Sequence, residues 1–275
     1  MRLNMGFLWI YSINIILIIV VVCFQKKEPI VAMAWVLCFI ALPVVGAVIY
    51  IVFGVGLKNR TKKKYLEKTN ASLSFFTGLK SQKIPEKYAH MVNYFKNTSH
   101  SVLTDKNSVE IFTDARDKYE ALLKDIEGAK ETVNLLYFIV RDDKIGTRLI
   151  KLLEKKADEG VQIRFLYDGF GSLLTPYRTF KKLKHKKNGH VAAFFPLTIF
   201  SYSLINHRNH RKLAIIDGKI AYLGGMNIGD EYMGLKKPSP WRDTHMRIVG
   251  DSVQEIQRIF CLDWEFTTGE NIKDN

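Results

Sequence analysis

With 275 residues, 47% of them hydrophobic and 25% charged, the chain has the composition of a protein that buries a core, which excludes a disordered or fibrous polypeptide. A formal net charge of +14 points to anionic partners, either lipid headgroups or nucleic acid. Cys23, Cys38 and Cys261 show no regular spacing, which excludes a disulfide framework and a cysteine metal site and is consistent with a reduced compartment.

Residues 7–24 and 31–53 are apolar runs near the roughly 20 residues that a bilayer-crossing helix requires, and neither contains Lys, Arg, Asp or Glu. The first is long for a signal-peptide core, and no small-residue cleavage site precedes Lys26-Lys27-Glu28-Pro29. The pair therefore predicts two N-terminal transmembrane helices over residues 1–57, joined by a tight hairpin, with Pro43 and Gly46 as tolerated irregularities. Lys58, Arg60, Lys62, Lys63 and Lys64 follow the second run, whereas the hairpin carries Lys26 and Lys27. Positive charge stays inside, so the expectation is a multi-pass protein of the cell membrane with everything after residue 57 on the cytoplasmic side.

Residues 58–106 are polar and basic with scattered aromatics, and they read as a basic connector with short helices. From residue 107 to 275 the pattern becomes α/β. It predicts strands at 109–112, 132–140, 161–167 and 192–195, and helices at 118–129 and 145–158, the latter closed by Gly160. A strand hairpin follows at 212–216 and 220–223, turning at Asp217-Gly218, and a terminal helix at 251–264 turns Val253, Ile256, Ile259 and Phe260 inward. The expected fold is a mixed sheet flanked by helices. The basic cluster at 181–187 reads equally as a solvated helix face or as a headgroup-binding one.

The hairpin carries the chemistry. It holds His210-Arg-Lys212-Leu-Ala-Ile-Ile-Asp217, followed by Gly224-Gly225-Met226-Asn227. Residues two apart on a strand share a face, so His210 and Lys212 project together. Attack on an anionic phosphodiester needs a nucleophile that is neutral near pH 7, and an imidazole meets that need and can form a covalent phosphohistidine. Lys212 and Asn227 would stabilise the phosphoryl oxygens without a metal or cofactor, Gly225 is a further candidate substrate-binding residue, and Asp217 would orient a partner side chain. For an isolated His-x-Lys a solvated pair is the favoured reading; the longer pattern shifts the balance toward phosphate chemistry. Asp142-Asp143 and Asp168-Gly-Phe-Gly-Ser172 follow strand ends, where ligand sites gather, although loop formation suffices for Asp142 and Asp143. His245 is an outside candidate for acid or base work, with packing the stronger reading.

At His210 to Asp217 and Gly224 to Tyr232 the chain resembles the phospholipase D superfamily, and within it the bacterial cardiolipin synthases. Residues 137–143, 159–169 and 241–264 also read like the amino-terminal half of that family. The resemblance implies a membrane-bound phosphatidyltransferase that makes cardiolipin and glycerol from two phosphatidylglycerol molecules. It also implies two such motifs per site. This chain has one, so a homodimer or a separate second half would supply the other. The family usually carries a polar, often acidic, residue where this chain has Leu136. Two other readings stand beside this one: a homodimeric phospholipase D-like nuclease, which the apolar runs disfavour, so that nucleic acid is not the expected partner; and an inactive truncated half that acts as a binding subunit.

Overall fold

The structure is a computed structural model, and it describes residues 5–25, 27–54, 84, 86–99, 101–196, 208–235 and 241–272. The chain divides into two compact units, residues 1–59 with 197–207, and residues 60–196 with 208–275.

In the first unit, α1 (Met5–Ile19) runs into a π-helical turn at Val20–Phe24, and α2 (Pro29–Ala41) and α3 (Pro43–Ile49) lead to a second such turn at Tyr50–Gly54. Val21, Phe39 and Tyr50 form its small core, with Trp35 and Phe39 against the Tyr50 ring. The expected pair of transmembrane helices is not present. Among the described residues no helix is long and apolar enough to cross a membrane. The cause is local. The α-helical ladder of the first run ends at Ile19, so its 15 residues rise only about 22 Å against a hydrocarbon core of about 30 Å. The second run breaks at Leu42, held at φ −134° and ψ 70° because the ring of Pro43 excludes the helical region for the residue before it. The multi-pass arrangement loses its support, and so does the sidedness derived from it; Lys58 to Lys64 lie outside the described residues.

In the second unit the connector contributes α4 (Ala89–Ser99), and residues 55–83 lie outside the described ones. The rest is a seven-stranded mixed sheet: β1 (Asn107–Phe112), β2 (Thr132–Tyr137), β3 (Gln162–Asp168), β4 (Gly189–Phe194), β5 (Lys212–Ile216), β6 (Ile220–Gly224) and β7 (His245–Gly250). Their spatial order is β1-β7-β6-β5-β2-β3-β4, with β2, β3 and β4 parallel and every other pairing antiparallel. Helices α5 (Ala115–Gly128), α6 (Lys144–Asp158) and α7 (Arg178–Lys184) cover one face, where Tyr119, Leu122, Leu149, Leu153 and Phe180 pack on Val133, Leu135 and Phe165. On the other face α8 (Ser252–Thr268) lays Val253, Ile256, Phe260 and Trp264 over Leu136, Leu166 and Leu213. Ile259, expected inward, is half-buried.

This topology sorts the strand ends. The last residues of β2, β3, β4 and β6 and the first of β5 and β7 all meet at one edge of the sheet: Tyr137 pairs with Lys212, and Gly224 with His245. Leu136 pairs with Leu213 and so faces α8, away from Lys212, which removes it from the neighbourhood of the chemistry.

Candidate active site

His210 and Lys212 come together at that edge. The Lys212 ammonium lies 3.0 Å from His210 Nδ1 and donates to the His210 carbonyl at 2.7 Å. The Phe138 ring, just beyond β2, sits 4.5 Å from the imidazole centroid and 5.1 Å from Lys212 Nζ. His210 is exposed while Lys212 is buried, so the lysine is fixed by the strand and the histidine meets solvent. Burial and then the Lys212 charge hold His210 below the usual imidazole value, against an opposing pull from Asp168. Burial also brings Lys212 down to about 8, although Asp243 and Asp168 pull the other way.

Two buried carboxylates hold the segment that presents His210. Asp168, at the end of β3, accepts from the Asn209 N–H through one oxygen at 2.9 Å and from the Phe170 and Gly171 N–H groups through the other. Asp263 on α8 accepts from the Asn209 amide and from Arg211, both at 2.8 Å. The residues on either side of the histidine are thus clamped, Asn209 by both carboxylates and Arg211 by Asp263. A carboxylate directly after a strand was the visible signal for Asp168; Asp263 lies on a helix whose pattern shows only packing.

Asn227 is buried behind the loop that follows β2. Its carboxamide oxygen accepts from the Ile139 N–H at 2.9 Å and its amide donates to the Tyr232 hydroxyl, so it braces the loop that carries Phe138. Gly225 lies where a Cβ would fall 2.0 Å from Asp243 Oδ1, and at Gly224 a Cβ would fall 2.6 Å from His245 Nδ1. The glycine pair therefore brings Asp243 and His245 against the strand ends. His245 is fully buried, burial together with Lys118 and Lys212 lowers it to about 2, and among the described residues neither of its ring nitrogens has a hydrogen-bond partner.

Asp217 is not brought to the site. It lies at the opposite edge of the sheet, five residues along β5 from Lys212 or roughly 17 Å. There its carboxylate accepts from the backbone N–H groups of Lys130, Glu131 and Thr132 at 2.8 to 2.9 Å. Asp143 is likewise tied into structure, capping α6 through the Gly146 N–H and accepting from Asp230. Among the described residues no group of three or more His, Cys, Asp or Glu could hold a metal ion.

Residues 122–264 match the family model described as "Cardiolipin synthase, PLD-like domain". The chain belongs to this family. Residues 12–54 match a second model, "Phospholipase_D-nuclease N-terminal". Among curated relatives, a cardiolipin synthase of Oceanobacillus iheyensis is 39% identical over 96% of this chain and 58% of its own length. The major cardiolipin synthase of Bacillus subtilis is 38% identical over 92% of this chain and 55% of its own. The chain thus spans little more than half the length of these family members. Among solved structures, NucT from Helicobacter pylori aligns at a TM-score of 0.46 and 18% identity, covering 59% of this chain and 98% of that one.

Proposed function

We propose that the chain is one half of a phosphatidyltransferase that makes cardiolipin and glycerol from two molecules of phosphatidylglycerol. The observation that carries this reading is the exposed, neutral-leaning imidazole of His210 held 3.0 Å from a buried lysine, in a family whose named relatives are cardiolipin synthases. Attack by Nε2 needs the ring proton on Nδ1, and Lys212 is the group placed to accept that hydrogen bond in its neutral form; a value near 8 keeps that form within reach. In the first step a bond forms between Nε2 and phosphorus while the bond to the glycerol oxygen breaks, and the departing glycerol takes a proton from a second histidine. In the second, the hydroxyl of another phosphatidylglycerol attacks phosphorus, returns a proton to that second histidine and releases His210.

The second histidine comes from another copy of the chain or from a separate complementary half, since the sequence holds one such motif. Asn227 and Gly225 shape the phosphate side of the site, and the Asp243 carboxylate beside Gly225 favours the charged form of Lys212. Asp217 serves the same reaction at a distance, by fixing the strand that carries Lys212. The first unit supports association with a membrane: Trp9, Ile16, Ile30, Met33 and Ile40 are exposed, and water is a poor solvent for so large an apolar surface.

The test is mass spectrometry of lipids after incubation of phosphatidylglycerol vesicles with the purified chain and with its His210→Ala variant. Cardiolipin from the unmutated chain and none from the variant is the expected result. Equal product from both would sink the assignment. A nuclease, the second reading of the sequence, would instead cleave DNA without lipid and lose binding steeply with salt.

A further inference from the structure

The segment after β3 has two faces. Its inner face builds the wall of the candidate site. Gly171 lies where a Cβ would meet the Phe138 carbonyl at 2.3 Å, and the Ser172 hydroxyl bridges the Phe138 carbonyl and the Val140 N–H at 3.1 Å each. The Arg208 guanidinium stacks over the Phe170 ring at 5.6 Å. Phe138 is the ring that touches both His210 and Lys212.

The outer face is apolar and uncovered. Leu173 is 59% exposed, Leu174 79%, and Tyr177 64%, although burying such side chains is favourable. Cations follow at once. Arg178, Lys181, Lys182 and Lys184 are exposed on and around α7, and Lys184 lies 5.9 Å over the Tyr177 ring, joining the charged surface to the apolar one. From Gly169 to Lys187 the sequence contains no Asp or Glu.

We propose that residues 170–184 form a membrane-docking platform in the second unit. Leu173, Leu174 and Tyr177 enter the headgroup boundary of an anionic bilayer, and the cations of α7 lie on its headgroups. Each Lys or Arg near such a surface adds to the attraction. A nucleic acid would pair with the cations but leave the leucines in water. A bilayer surface satisfies both, and because the same segment walls the site through Phe138, docking presents His210 to lipid. That last step rests on the proposed lipid chemistry; the docking itself does not.

Hydrogen exchange of the full chain tests it, read on peptides covering residues 169–184 in phosphatidylglycerol vesicles, in phosphatidylcholine vesicles and in detergent. The expected result is exchange at least tenfold slower in phosphatidylglycerol vesicles than in the other two, with the difference lost in Leu173→Ser/Leu174→Ser. The same double variant should lose at least tenfold in cardiolipin formation while its hydrolysis of bis(p-nitrophenyl) phosphate, a soluble diester, is unchanged. Equal exchange in all three media overturns the platform. So does protection that persists in detergent and vanishes on dilution, since that assigns the face to a second copy. Protection in phosphatidylglycerol vesicles by a chain that turns over neither substrate supports the platform and overturns the proposed function.

Discussion

Lys118 shows most sharply what single residues contribute here. Its ammonium is fully buried under α5, 3.3 Å from the Tyr137 hydroxyl and 4.5 Å over the Tyr119 ring, and burial brings it down to about 7 from an ordinary 10.5. Ring faces and a hydroxyl compensate a buried charge only in part. Because the folded value lies below the unfolded one, the unfolded chain binds more protons between about pH 7 and 10.5. Stability attributable to this group therefore rises with pH across that window, and the penalty is fully present below it. It amounts to something on the order of 5 kcal/mol. Lys118→Met should raise the unfolding temperature by roughly 5 °C or more at pH 6, with the gain shrinking toward pH 10. Scanning calorimetry at the two pH values checks this, and a variant less stable at pH 6 would show that the cation is a net stabiliser.

At the scale of elements, the β5–β6 hairpin is fixed at both ends by different means. Its site end is held by Asp168 and Asp263 through Asn209 and Arg211; its turn end by Asp217, which adopts a φ of 49° and receives three N–H groups from the start of β2. Burial would raise the Asp217 carboxyl, but those N–H groups and Lys219 outweigh it and the net shift is downward. Its contribution is thus present above the ordinary carboxylate range and is lost as pH falls through the lowered folded value. Asp217→Ala should cost about 2 kcal/mol or more in urea unfolding, and Asp217→Asn less, since asparagine keeps an acceptor and tolerates positive φ. Product formed per folded molecule should hold within about twofold in both, as expected for a group roughly 17 Å from Lys212 and further still from the histidine. The hairpin was legible because two short apolar runs flank an Asp-Gly turn. The role of Asp217 was not, because spacing along a chain does not reveal which end of a strand faces the chemistry. β7 was missed since His245, Met246 and Arg247 show no simple alternation, and α7 was read only as a charged helix face because its charge masks Phe180 and Leu183, the two residues it buries. The apolar runs near the amino terminus were read by length, and proline geometry at Leu42 overruled length.

For the whole molecule, the single motif in this sequence makes the proposed reaction depend on a second motif supplied from elsewhere. If two copies build the site, cardiolipin formed per chain should fall in proportion to protein concentration once the protein-to-lipid ratio drops below that needed for pairing. A rate per chain that is flat across a hundredfold dilution in lipid would mean that a single copy suffices. The two edges of the sheet also differ in kind. The edge with His210 gathers Lys212, Lys118 and His245, all but the histidine of the motif buried, beside the carboxylates of Asp168 and Asp243, whereas at the edge with Asp217 the carboxylate takes three backbone N–H groups. The two ends of the hairpin are thus anchored through different residues. Substitutions at the turn end, which alter Asp217 and its backbone partners, therefore reach stability without passing through the chemistry, so this architecture can tune its endurance and its reaction separately.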